Sequence, residues 1–125
     1  MNIYISHAKK IDFVNDLYDP IKNSDKLKKH QFIFPHIDNQ VVNSEELFRD
    51  KKCDLVLAEV STPSTGQGIE LGYAKILKIP IICIYKNGSD LANSLKWITN
   101  KLIEYNNSID LIEKLEKELD EKTNN

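Results

Sequence analysis

Apolar residues fall along the chain in two alternating patterns: short unbroken blocks, and stretches in which they recur every third or fourth position. The blocks at 2–6 (N-I-Y-I-S), 31–35 (Q-F-I-F-P), 53–60 (C-D-L-V-L-A-E-V), 80–85 (P-I-I-C-I-Y) and 102–105 (L-I-E-Y) predict strands. Unbroken apolarity in a strand predicts cover on both faces, the condition of a parallel sheet between helices. The recurring positions predict those helices. Ile11, Phe13, Val14, Leu17 and Ile21 place one after residue 10, with Pro20 expected to kink or end it. Leu47 and Phe48 mark a short helix that Asn43 or Ser44 can cap. Ile69, Leu71, Tyr73, Ala74 and Leu77 predict a helix over 68–77, and Leu91, Leu95 and Trp97 another over 90–98. Ile109, Ile112, Leu115 and Leu119 predict an inward stripe on a last helix, capped by Ser108 and running to about 121. Polar residues 23–30 read as a connector, and 122–125 as a frayed tail.

Strands and helices thus alternate five times. Right-handed crossovers then wind the chain into a doubly wound α/β domain spanning 1–125, with a five-stranded parallel sheet of the flavodoxin- or Rossmann-like kind. The order expected is 2-1-3-4-5, with a switch point between the first and third strands. Ligands of such sheets bind beyond the carboxyl ends of the strands at that point. The loops there hold residues 6–10 and 61–70, so two segments far apart in sequence are expected to share one cleft.

Charge narrows the partners. Seventeen Lys and Arg stand against 19 Asp and Glu, a net charge of −2, which argues against broad, charge-driven binding of nucleic acid. No apolar run approaches the length of a membrane span, and the strand-like opening is not expected to be a signal peptide. Cys53 and Cys83 lie at or in apolar strands, so buried free thiols in a cytoplasmic protein are expected. The three histidines show no ligand spacing, and no metal or cofactor is expected.

Candidate chemistry gathers between 53 and 72. The strand breaks at S-T-P-S, Gly66 and Gly68 follow, and Glu70 is expected in the first helical turn. A carboxylate beside a cleft can attack a sugar carbon, or stabilise the positive charge that develops there as a glycosidic bond breaks. Gly66 and Gly68 let backbone N–H groups approach an anion, and Ser64 offers a hydroxyl to a phosphate. Ser64 also reads as a simple loop cap. Tyr4 lies beside the switch point, where its hydroxyl could hold Glu70 or a sugar. Ser6, His7, Lys9 and Lys10 could meet an anion, and His36 and Asp38 a base. Glu59 reads equally as a sugar ligand or a buried structural carboxylate, and Asp54 as a strand-end acid.

The run D-L-V-L-A-E-V-S-T-P-S-T-G-Q-G-I-E-L-G-Y-A resembles the signature of the nucleoside 2-deoxyribosyltransferase superfamily, and within it most resembles 2'-deoxynucleoside 5'-monophosphate N-hydrolases. A looser likeness extends from N-I-Y-I-S to the segment around Asn93 and Ser94. The resemblance implies that Glu70 is the catalytic glutamate, that Tyr4 orients it, and that Asp54 acts near the base and leaving group. It implies that Ser64 stands where the transferases keep an aspartate and the monophosphate hydrolases a phosphate-binding serine, and so points to a nucleotide over a nucleoside. It also implies that Ser94 is lent to a neighbouring subunit's site, hence a homodimer. Where such hydrolases carry G-S-I-R-G-G after the first strand, this chain has S-H-A-K-K. The reading is therefore an N-glycosidase of nucleoside 5'-monophosphates with a small-molecule substrate. The alternatives are a base-exchanging deoxyribosyltransferase and a non-catalytic nucleotide-binding or signalling module, since Y-I-S-H-A-K-K also resembles the opening of bacterial TIR domains.

Overall fold

The computed structural model describes residues 1–37 and 42–123. Asp38 and Asn39, expected in the loop after the second strand, and the last two residues of the tail lie outside that set. Five parallel strands form one sheet: β1 (Asn2–His7), β2 (Gln31–Ile33), β3 (Leu55–Glu59), β4 (Ile81–Lys86) and β5 (Leu102–Tyr105). Their order is β2-β1-β3-β4-β5, as the alternation predicted. The helices are α1 (Asp19–Lys22), α2 (Ser44–Arg49), α3 (Thr65–Ile76) and α4 (Ser108–Thr123).

Two apolar layers sandwich the sheet, and the period-2 alternation of side chains assigns each strand residue to one of them. Ile3, Ile5, Leu55, Leu57, Ile82 and Ile84 share a layer with Leu17 of the turn before α1, Ile21 of α1, and Leu111, Leu115 and Leu119 of α4. Tyr4, Val56, Ala58 and Cys83 face the other way, against Phe48 of α2 and Leu71 and Ala74 of α3. The register pairs Tyr4 with Val56, Ser6 with Ala58 and His7 with Glu59, so β1 and β3 end side by side at the carboxyl edge.

Four local expectations change. The first helix begins as a π-helical turn, Val14–Tyr18, which passes into the single α-turn of α1 with Pro20 in its first turn. Proline is tolerated there because a first-turn residue needs no intrahelical N–H bond. The segment 90–98 makes only a 3-10 turn, Asn93–Trp97, with no buried residue. Helix α3 starts three residues earlier than expected, because Ser64 caps it by accepting from the Gln67 N–H at 3.3 Å. Glu70 therefore falls in the second turn, away from the positive end of the helix, and Gly66 and Gly68 are helical. In α4, Asn107 provides the cap, accepting from the Asp110 N–H at 2.9 Å, and Ile109 is 75% exposed while Leu111 fills the core.

Leu115→Ala should cost about 2–5 kcal/mol by leaving a cavity under the sheet, whereas Ile109→Ala should stay within about 0.5 kcal/mol. Urea unfolding of the two variants beside the parent checks the contrast.

Candidate active site

The site begins with two residues of β1. Tyr4 and Ser6 are two apart, so both side chains leave the sheet on the α3 side, and both are fully buried. Glu70 comes down from α3 between them. The Tyr4 hydroxyl donates to Glu70 Oε2 at 2.7 Å, and the Ser6 hydroxyl to Oε1 at 2.8 Å. Each carboxylate oxygen thus takes one neutral donor, which fixes the plane of the carboxylate and leaves each oxygen a free lone pair. Burial and the neighbouring Glu70 charge raise the Tyr4 phenol far above its ordinary range, so its proton stays in place to donate. The edge of the Tyr4 ring packs on Phe48 with centroids 5.2 Å apart, and the Ser44 hydroxyl lies beside its phenol. Ser44, at the start of α2, carries no sequence signal for the site; only the packing of α2 against β1 reveals it.

The loop from Val60 to Ser64 is tied down at three points. Ser61 N–H donates to Glu59 Oε1 at 2.6 Å, Lys86 N–H to the Ser61 hydroxyl at 2.8 Å, and the Gln67 amide to the Glu59 carbonyl at 2.9 Å. Glu59 itself is buried and takes a short hydrogen bond from the Tyr105 hydroxyl, on the α4 side of the sheet. It is a structural carboxylate, one of the two readings its sequence allowed. Gln67, which no sequence signal marks, joins β3 to the first turn of α3.

These elements enclose a cleft of about 580 Å³ whose walls include Tyr4, His7, Lys9, Lys10, His36, Ser64, Gly66 and Glu70. The loops after β1 and β3 do converge, joined by Pro35 and His36 from the loop after β2. Lys9 and Lys10 are exposed at the rim and make no ion pair among the described residues. The Ser64 oxygen accepts the capping bond, and its hydroxyl proton remains free to donate.

His7 is more constrained than its sequence position suggests. Its Nδ1 lies 2.9 Å from the Ala8 carbonyl, an acceptor only, so Nδ1 carries the proton. Nε2 then accepts from the Tyr18 hydroxyl at 2.6 Å, and that oxygen accepts the His36 N–H at 3.2 Å. Burial holds the imidazole below its usual pKa and pushes the Tyr18 phenol up to about 12. His7 stacks on Phe13 at 4.4 Å and meets His36 edge-on at 5.2 Å. It is thus a neutral, structural anchor for the loops, with its two nitrogens already engaged.

Three expected residues stand elsewhere. Asp54 is exposed at the amino end of β3, where it accepts the Asn2 N–H at 2.8 Å. The full length of β3, on the order of 15 Å, separates it from the carboxyl edge, so it cannot reach a base bound beside Glu70. Gly68 and Ser94 line a neighbouring hollow of about 320 Å³ on the other side of the Ser64 turn. A Cβ at Gly66 or at Gly68 would meet nothing within 4 Å, so packing alone does not require either glycine.

A parallel sheet of order β2-β1-β3-β4-β5 with a carboxylate held at its switch point is a doubly wound α/β architecture, and the solved structures agree on the fold. The CMP N-glycosidase of Clostridium botulinum is 22% identical and superposes with a TM-score of 0.63 over 92% of this chain and 98% of that one. A conserved protein from Enterococcus faecalis V583 is 16% identical, with a TM-score of 0.56 over 94% and 98%. In sequence, the chain is 40% identical over 48 residues to the 5-hydroxymethyl-dUMP N-hydrolase of Rattus norvegicus, covering 38% of this chain and 29% of that protein. It is likewise 40% identical over 48 residues to the 5-hydroxymethyl-dUMP N-hydrolase of Mus musculus, covering 38% and 28%. The matched stretches span less than a third of those relatives' lengths. No protein-family profile matches the chain. The sequence relatives carry N-hydrolase names and one of the two solved structures is called an N-glycosidase, in keeping with the resemblance read from residues 54–74.

The His7 pKa is lowered on folding, so between its folded value and about 6.5 the unfolded chain binds more protons. Stability from this group is complete above pH 6.5 and is lost as pH falls towards the folded value. His30 and His36 are lowered too and act in the same direction. The thermal midpoint should therefore drop on acidification from pH 7 to 5.5, and drop less in His7→Gln, as followed by circular dichroism.

Proposed function

We propose that the protein is an N-glycosidase that hydrolyses the base–sugar bond of nucleoside 5'-monophosphates. The observation that carries this reading is Glu70: a carboxylate pinned by Tyr4 and Ser6 on the wall of a cleft whose volume suits a nucleotide. A sugar bound there with its anomeric carbon over a free lone pair of Glu70 meets negative charge where positive charge develops. The C–N bond breaks with its electrons leaving on the base nitrogen, which a proton from solvent neutralises. Glu70 bonds to or shields the carbon until water supplies a hydroxyl and gives up its proton. The two hydroxyl donors keep the carboxylate from rotating away, so its orientation is set before substrate arrives.

The rim supports a phosphate. Lys9 and Lys10 are exposed on one side, and Ser64 and the first turn of α3 lie opposite. Charge from these lysines takes the place of the glycine-rich cradle that S-H-A-K-K lacks. Serine at 64 adds a donor and no negative charge, which favours a phosphorylated sugar over a free nucleoside. The relatives' names point the same way: hydrolysis of nucleotides, not base exchange.

We further read the protein as a cytoplasmic homodimer. Ile69, Tyr73 and Ile76 form an outward stripe on α3, 54%, 39% and 81% exposed, which adjoins Glu70 in sequence. A second copy seated there would cover apolar area beside the site, and Ser94 stands at the edge of the next hollow. Cys53 and Cys83 are free and buried, the state a reducing compartment maintains. No helix among the described residues is long and apolar enough to cross a membrane.

Incubation with a panel of ribo- and deoxyribonucleoside 5'-monophosphates, with base release followed by chromatography, should show turnover of at least one. Glu70→Gln should lower that rate by about a thousandfold or more, the scale on which a principal electrostatic group acts. Ser64→Asp should weaken use of the monophosphate more than use of the matching nucleoside. No base release from any member at high protein concentration would remove the enzyme reading.

A further inference from the structure

The opposite edge of the sheet carries a second hollow that the reaction does not use. It measures about 590 Å³ and lies where β4 begins, between the ends of α3 and α4 and the turn 93–101. Lys75, Lys78, Lys96, Lys101 and Lys122 line it, together with Trp97, and no acidic residue is among its walls. Of these lysines only Lys101 is paired among the described residues, with Glu118 at 3.4 Å. Five like charges facing one concavity repel, in a chain whose net charge is −2. Lys75 and Lys122 lie in the last turns of α3 and α4, where a cation complements the helix dipole. That account does not extend to Lys96 and Lys101, which come from outside those helices. Nor does it extend to Trp97, whose indole is 74% exposed.

The hollow is built and not merely a chance of long side chains. The Thr99 hydroxyl donates to the Ile81 carbonyl at 2.6 Å and accepts the Lys101 N–H at 3.0 Å, so the turn is fastened to the start of β4. At the other wall, Ile79 N–H bonds the Ala74 carbonyl at 2.9 Å and Lys78 N–H the Lys75 carbonyl at 3.1 Å, which fixes the departure of Lys78 from α3. The Lys96 ammonium rests 5.6 Å from the Trp97 ring centre, placing charge and ring together. An exposed aromatic face among ammonium groups matches a ligand that joins a flat ring to phosphate: a base stacks on the indole while its phosphates meet the lysines.

We propose that this amino-edge hollow is a second nucleotide-binding site, recognising the base of a nucleotide on Trp97 and its phosphates on Lys78, Lys96 and Lys101. The proposal is independent of what Glu70 does, because the site lies at the other end of the strands.

Trp97 is the only tryptophan in the chain, so its fluorescence reports this hollow alone. The full chain should be titrated, with excitation at the red edge of indole absorption, with adenosine triphosphate, with a short single-stranded oligothymidylate, and with inorganic tripolyphosphate as a ligand lacking a base. Saturable quenching by adenosine triphosphate supports a free nucleotide; saturable quenching by the oligonucleotide alone supports the same chemistry drawn from a single strand. In either case Lys78→Glu/Lys96→Glu should raise Kd at least tenfold while leaving circular dichroism and base release unchanged, and Glu70→Gln should leave Kd unchanged. Quenching equal for tripolyphosphate and the base-bearing ligands would overturn stacking. No saturable quenching by any of the three, or quenching that the double charge reversal does not weaken, would overturn the site.

Discussion

The grip of two β1 hydroxyls on one carboxylate of α3 is the interaction on which the site depends. A carboxylate brought near a buried sheet edge loses water, and only donors in its place make that position tenable. Hydrogen bonds to a charged acceptor contribute roughly 1.5–3 kcal/mol each, and here each oxygen has one. Neutral donors achieve this without a cation. A lysine or arginine in their place would hold the carboxylate as firmly but would cancel the negative charge on which the proposed reaction rests. Tyr4 and Ser6 can both serve only because they are two residues apart in a strand. The Glu70 position in turn requires α3 to begin at Ser64, one turn ahead of the glycines' end. Strand register, helix cap and carboxylate are therefore one constraint seen at three levels.

Much of the fold was legible because burial on both faces leaves an unmistakable trace. Ile3-Tyr4-Ile5, Leu55-Val56-Leu57 and Ile81-Ile82-Cys83-Ile84 are apolar at successive positions, which only a strand with cover above and below can bury. Helices leave weaker traces at their ends. Ser64 and Thr65 look like loop, and Gly66 and Gly68 look like breakers, yet the capping bond from Gln67 overrides local preference and makes them the first turn. Leu91, Leu95 and Trp97 show helical spacing, but with no more than a partly buried side to hold it the segment settles into a 3-10 turn. Spacing predicts a helix only where a face exists to bury it.

The site was legible where it rests on register and illegible where it rests on tertiary approach. Tyr4 and Glu70 could be joined before any coordinates, since the switch point of the order 2-1-3-4-5 brings their elements together. Asp54 was misplaced for the same reason in reverse. Sequence nearness to the Glu70 stretch hides the fact that a strand has two ends, and Asp54 stands at the far one. Ser44 and Gln67 have ordinary surroundings in sequence, and each matters through a partner many residues away or through the turn it locks. His7 looked like a free charge for an anion. Its two nitrogens are spent on Ala8 and Tyr18, so it shapes the cleft by holding the loops that carry Lys9 and His36.

A glycine-rich loop and a lysine-bearing loop solve the problem of holding phosphate in different ways. Backbone N–H groups are rigid donors of fixed direction, but they need glycine at each turn where a Cβ would block approach. Side-chain ammonium groups bring full charge from a distance and tolerate an ordinary backbone, at the cost of ordering a long flexible chain when the ligand binds. In this chain β1 continues through His7 and the following residues are anchored by the His7–Tyr18–His36 chain of hydrogen bonds. The rim backbone is thus tied down by hydrogen bonds while the Lys9 and Lys10 side chains stand exposed above it. The same combination, a hydrogen-bonded backbone bearing lysines, recurs at the amino edge around Trp97. Both ends of this sheet therefore place several lysines without an ion pair among the described residues around a concavity, in a protein whose net charge is slightly negative.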